Sequence, residues 1–274
     1  MSLTRRIRVA TSCGLVLCLC VSAAGGTIPG IQGEVGAVQS AVGASFVIDT
    51  FDITQSVVAD PIGVRSMGTV AGPTSSILGG YRDMYLEIIG GVAEGRLRAN
   101  PFLLNSNLQI DLSAGVSATA TVIWDGVPGI TGLEPDHGLD MDFTGGGTYE
   151  GIAVRLAIDA AGEGQMLKLL IHSSGGRKSE AELAFPVVPD VEPTVVQFVP
   201  YTEFVGDADM TNVSAFQMII NAESPSIDAQ IDVVGLSGPN TSDFEILPEP
   251  SSMVLTLVAG LSLLGLRRRS AAVS

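Results

Sequence analysis

From Phe46 onward, short apolar runs alternate with turns rich in Gly, Pro, Asn and Asp, at the spacing expected of a chain that folds back and forth as strands. The pattern predicts strands near 46–53, 63–70, 80–89, 95–101, 105–112, 117–124, 151–158, 165–172, 180–185, 194–199, 213–221 and 228–236. Several alternate with period two, the signature of a strand buried on one face. Ile152, Val154, Leu156 and Ile158 share a face, with Arg155 opposite. Leu167, Leu169 and Ile171 point one way, while Lys168 and His172 point the other; Phe216, Met218 and Ile220 repeat the arrangement. No segment of the body has the 3.6-residue pattern of a helix of 12 or more residues, and no repeat of fixed period is visible. The body therefore reads as all-β, a single β-sandwich over residues 46–240.

The two ends break the pattern. Residues 1–8 carry Arg5, Arg6 and Arg8, residues 9–21 are apolar, and Ser22-Ala23-Ala24-Gly25 follows. A positive head, a short apolar stretch and small residues before the cut are the anatomy of a secretory signal peptide, with cleavage predicted between Ala24 and Gly25 by signal peptidase. Arg8 occupies a position where a twin-arginine signal wants an apolar residue, so general secretion is the better reading of the Arg5-Arg6 pair. As a permanent anchor the apolar stretch falls short of the ~20 residues a span needs. Residues 25–45 are small and Gly-rich, a flexible lead or an edge strand, and 241–247 form a linker. Behind the linker, Pro248-Glu249-Pro250 precedes apolar residues 251–266, and Arg267-Arg268-Arg269 follows at once. The prolines keep their own segment extended and out of the membrane, the apolar stretch inserts, and the arginines hold its far end on the cytoplasmic side. Its brevity suits a transient transmembrane helix.

This tripartite tail, residues 248–270, resembles the PEP-CTERM sorting signal of bacterial surface proteins. The resemblance implies recognition of Pro248, Glu249 and Pro250 by an exosortase, cleavage near them, and delivery to the cell envelope, cell surface or exopolysaccharide matrix. A second resemblance lies in the body. The order Phe46–Asp52, then Ile77–Asp83, then Ala229–Leu236 is similar to bodies found ahead of such tails, which are themselves similar to galactose-binding-like jelly rolls. It implies a jelly-roll-like β-sandwich whose first and last strands pair.

Composition narrows the partners. The six arginines of the two ends leave eight basic residues against 28 acidic ones between 25 and 247, about −20 charges. Nucleic acid and anionic membranes are poor partners for such a body, whereas soluble cations suit it. Jelly rolls of the kind it resembles often hold a structural calcium near the first and last strands. Asp49 and Asp52 near the first strand, Asp228 and Asp232 near the last, and Asp207 and Asp209 in a turn are the acids to weigh for one. No calcium-loop spacing supplies the six or more oxygens required, so no ligand set and no cofactor follows from the sequence. All three cysteines, Cys13, Cys18 and Cys20, lie in the front stretch, which leaves the body without a disulfide or thiolate.

Candidate chemistry is sparse. There is no nucleophile elbow, zinc-protease motif, Walker loop or Cys/His cluster, and no catalytic residue is assigned. His172 shares a face with Lys168 and reads as a solvated surface residue. His137 sits among the carboxylates of Glu134, Asp136 and Asp140, which fit a metal or acid–base loop and equally a polar loop at the end of a sandwich. Gly145-Gly146-Gly147 precedes a strand, not the helix a phosphate cradle would open, so it reads as a turn. Trp124 reads as core, leaving Tyr81, Tyr85, Tyr149 and Tyr201 as the aromatic groups for stacking on sugars. The sequence thus predicts a non-catalytic exported sandwich that meets exopolysaccharide; the alternative is a surface enzyme of the glycoside hydrolase kind, whose paired carboxylates can come from anywhere in a chain.

Overall fold

The computed structural model describes residues 46–60, 63, 65–101, 106–129, 132–158, 166–187, 195–222, 225 and 228–238. Fourteen strands build two antiparallel sheets among the described residues. In chain order they are β1 (Phe46–Asp49), β2 (Gln55–Ala59), β3 (Arg65–Ala71), β4 (Tyr81–Gly90), β5 (Gly95–Ala99), β6 (Leu108–Leu112) and β7 (Ser117–Trp124). They continue with β8 (Gly151–Ile158), β9 (Met166–Ser173), β10 (Arg177–Ala184), β11 (Val195–Pro200), β12 (Val205–Gly206), β13 (Val213–Ala222) and β14 (Asp228–Ser237). The first sheet runs β11-β8-β14-β6-β5-β2, with β1 also paired to β14; the second runs β12-β10-β9-β13-β7-β4-β3. First and last strands are neighbours, with Phe46 opposite Leu236. The all-β sandwich read from the sequence is the fold of the body; its flanking signal segments lie outside the described residues.

The period-two faces meet between the sheets. Ile152, Val154 and Leu156 of β8 pack in one apolar core with Leu167, Leu169 and Ile171 of β9, and with Phe216, Met218 and Ile220 of β13. Trp124 is fully buried there, its ring 5.4 Å from that of Phe216.

One ion pair is sealed inside the core. Arg82 Nη1 lies 3.0 Å from each carboxylate oxygen of Asp49, and both side chains are fully buried. Trp124 Nε1 and the Phe51 amide also donate to Asp49, while Arg82 Nε donates to Gln55 Oε1 and Nη2 to the Ile53 carbonyl. Every arm of the pair thus has a partner, which is what allows charge to persist away from water. The network fastens the entry of the chain, β1 and the turn after it, to β4 and β7 of the opposite sheet.

Four strand expectations change. The predicted first strand ends early, because Asp49 takes the Phe51 amide and Phe51 adopts a φ of 51°. The chain turns there and starts β2, which lies in a stretch the sequence left unassigned. β12, two residues long, is too short for periodicity to reveal. The strand predicted from 105 begins at Leu108.

Candidate functional site

The last residue of β7 opens a long connection that carries the chain from the second sheet to β8 in the first. Asp125 folds its start back on itself: one carboxylate oxygen accepts the Val127 amide at 3.0 Å and the other accepts the Asp136 amide at 2.9 Å. Gly79, at φ 66°, sits so close beneath that a Cβ would lie 2.7 Å from the Gly126 Cα and 2.5 Å from the Leu139 side chain. Beyond the fold, Leu139 N donates to Ser214 O, and Met141 bridges to Val213. Residues 139–141 therefore pair along the start of β13, beyond the end of β7, and the residues before them reach the outer face of the second sheet.

Register decides what they cover. Across that face Thr69, Asp83, Ile123, Gln217 and Leu170 form one row, and Met67, Tyr85, Thr121, Ile219 and Lys168 the next. Tyr85 donates its phenolic hydrogen to Gly132 O, and Gln217 Nε2 donates to Leu133 O at 3.3 Å. With its amide so oriented, Gln217 Oε1 accepts from His172 Nε2 at 3.2 Å. His137 Nδ1 meets Ser214 Oγ at 3.0 Å, and the rings of His137 and His172 stand 5.6 Å apart. The floor formed by Asp83, Tyr85, Gln217 and His172 is buried, while Thr69, Glu134, Asp136 and His137 stand exposed around it.

Electrostatics follow from that burial. Loss of water raises the Asp83 carboxyl to about 6, with the nearby charges of Asp125 and Asp136 adding to the shift and a hydrogen bond from Thr69 opposing it. Its Oδ1 is buried without a partner. Burial, then the charges of Asp83, Asp125 and Asp136, push the Tyr85 phenol up to about 12. His172 is held below the ordinary histidine range, first by burial and then by the adjacent His137, so it is the neutral imidazole at neutral pH. This is an acceptor-rich polar floor. Ser214 is buried on β13, away from the access a nucleophile needs.

The sequence-predicted residues distribute unevenly. His137, Glu134 and Asp136 stand at the rim, and Tyr85 in the floor. His172 corrects the expectation of a solvated side chain: it is 6% exposed, because the segment after Asp125 lies over the face it shares with Lys168. The acids weighed for calcium do not converge. Asp49 is filled by Arg82 and Trp124, Asp232 pairs with Arg155 at 2.7 Å, and Asp209 pairs with Arg177 and caps Thr211. Among the described residues no three His, Cys, Asp or Glu side chains gather to hold a metal ion. Gly145, Gly146 and Gly147 all have positive φ and form a turn, and the Thr144 and Gly146 amides point at the Asp142 carboxylate. Tyr149 and Tyr201 pack against the core, the latter donating to Phe143 O. Tyr81 is half-buried at the start of β4. Ala24, Gly25, Pro248, Glu249, Pro250, Arg267, Arg268 and Arg269 lie outside the described residues.

Asp83 and Gln217 were missed by sequence reasoning. Their only signal is a polar residue on the outward phase of an otherwise apolar strand, which also describes any solvated position.

No known family model matches the chain, and no curated protein matches it in sequence. Solved structures give loose likenesses. The family 11 carbohydrate-binding module of the cellulase Lic26A-Cel5E of Clostridium thermocellum superposes with a TM-score of 0.33 at 10% identity, covering 71% of this chain and 95% of that one. A family 29 carbohydrate-binding module mutant, CBM29-2 D83A with mannohexaose, gives 0.31 at 8% identity over 72% of this chain and 99% of that one. An exo-beta-agarase gives 0.31 at 10% identity, covering 73% of this chain and 25% of the enzyme. Superpositions this loose assign neither a ligand nor a site.

Proposed function

We propose that this is an exported bacterial surface protein, sorted by its PEP-CTERM-type tail, whose non-catalytic sandwich holds a polysaccharide of the envelope or exopolysaccharide matrix on the outer face of its second sheet. The sorting half of this reading is supported by the sequence order of Pro248-Glu249-Pro250, the apolar stretch and the three arginines, which makes exosortase and signal peptidase its processing partners. The binding half rests on one observation: residues 132–138 and strands β4, β9 and β13 gather a phenol, an amide, carboxylates and imidazoles on a single face, with Thr69, Asp136 and His137 exposed at its rim. Sugars are recognised by directed hydrogen bonds from groups held in place beforehand, and here the exposed rim groups of Thr69, Glu134, Asp136 and His137 stand on a floor fixed by its own bonds.

Binding of the secreted protein to a glycan array and to polysaccharide from its host tests the proposal. Thr69→Ala with His137→Ala should weaken retention about tenfold or more, while the melting temperature falls only by roughly the few degrees that losing the Thr69–Asp83 and His137–Ser214 hydrogen bonds costs. Failure to retain any glycan would refute the binding half alone. One observation favours a second reading. A carboxyl raised to about 6 beside other carboxylates is how glycosidases keep a proton for the leaving group. Release of reducing ends from the same polysaccharide, abolished by Asp83→Asn, would establish that enzyme in place of the binder.

A further inference from the structure

Asp83 is 3% exposed, and its Oδ1 has no partner. A buried carboxylate oxygen left alone is costly, and it is uncommon enough in folded proteins to call for a reason. Its surroundings make the cost larger. Asp125 and Asp136 act on it as like charges, and the oxygens of Gly132 and Leu133 nearby accept from Tyr85 and Gln217. Of the eight basic residues between 25 and 247, Lys178 lies opposite His172 on β10, and the other seven are paired with other acids. Arg65 pairs with Glu87, Arg82 with Asp49, Arg96 with Glu94, Arg98 with Asp111, Arg155 with Asp232, Arg177 with Asp209, and Lys168 with Glu180 and Glu182.

The missing group is therefore a cation from outside. A metal ion fits poorly, because the described residues do not bring three ligating side chains together and calcium wants six or more oxygens. A primary ammonium asks less. It carries three donors and one charge and is satisfied by two or three acceptors in loose geometry. Asp83 borders the edge of the sheet: Thr69, directly opposite it on the outermost strand, is exposed, and so is the nearby Asp136.

We infer that the Asp83–Asp125–Asp136 cluster is a recognition subsite for a primary ammonium, and that the polysaccharide held on this face contains an amino sugar with its nitrogen free. The inference rests on the polysaccharide-binding reading and sharpens it. A neutral or N-acetylated sugar cannot supply the charge, and an anionic one meets repulsion from the same carboxylates.

The test is titration calorimetry of the full secreted protein near pH 7.5 with oligosaccharides of glucosamine and of N-acetylglucosamine of equal length. The expected result is binding of the free-amine ligand at least about tenfold tighter than the acetylated one, a preference removed by Asp83→Asn and retained in Asp60→Asn at a remote exposed acid. The Asp60 control separates the subsite from general attraction of a polycation to an acidic body. Should Asp83→Asn fail to fold, Asp136→Asn at the exposed rim must lower the same preference. Equal affinity for the two ligands, or equal loss in the Asp60 variant, overturns the ammonium subsite and leaves glycan binding standing. Absence of binding to both, together with a silent glycan array, overturns both.

Discussion

Replacing Arg82 by Met should destabilise the body more than almost any other single change. The substitution keeps most of the apolar volume and removes five donors. Asp49 would then remain fully buried with only the Trp124 indole and the Phe51 amide to hold its charge, and Gln55 Oε1 and Ile53 O would each lose a donor. Breaking one side of a buried pair costs about 3–5 kcal/mol, because the surviving ion has neither water nor counter-ion. At ~2–4 °C per kcal/mol for a body of this size, the melting temperature falls by roughly 6–20 °C. Asp49→Leu leaves the guanidinium stranded instead and should cost a similar amount. The double variant is the decisive one. With both charges gone, the second substitution adds far less than the first, so urea unfolding of the four proteins should give a coupling energy of about 2 kcal/mol or more. Additive effects, or a cost below about 1 kcal/mol for Arg82→Met, would show that the pair is not sealed from water as the geometry requires.

Asp83 gives the body a pH dependence of known sign. With the carboxyl raised from 3.8 to about 6, the folded form holds the proton longer than the unfolded form, so stability is full below pH 4 and falls as pH rises through 6, by at most about 3 kcal/mol. Asp83→Asn should flatten that fall in urea unfolding between pH 4.5 and 7.5, and an unchanged slope would contradict the assignment. Intact mass of the protein from its host should show loss of residues 1–24 and of the apolar tail beyond Pro250; retention of residues 255–269 would leave an ordinary anchor. Because Asp49 and Asp232 are already engaged by arginines, calcium and sodium at matched ionic strength should raise the melting temperature equally, by screening alone. A calcium-specific rise would point to ligands outside those acids.

The fold was readable where one physical signal dominated. In β8, β9 and β13 the apolar residues alternate because one face is core and the other is not, and register follows from that alone. β2 escaped because its boundary is set by Asp49 accepting the Phe51 amide, a local bond that hydropathy does not record. The candidate site was half legible for a related reason. His137 and its acidic neighbours stand out in a loop, but nothing local says that the loop lies back over the sheet. That placement comes from Asp125 holding Asp136 and from Leu139 and Met141 reaching β13, pairings across 11 to 75 residues. Once it is made, outward positions such as His172 and Asp83 become interior ones, and their chemistry changes with their solvent.

The central claim, that the outer face of the second sheet holds a matrix polysaccharide, is tested most directly by footprinting. Hydrogen–deuterium exchange of the protein, with and without polysaccharide from its own host, should show slowed exchange confined to residues 65–71, 81–87 and 132–139. Protection confined to the outer face of the first sheet, on β5, β6 and β14, or no protection at a saturating concentration, would contradict it.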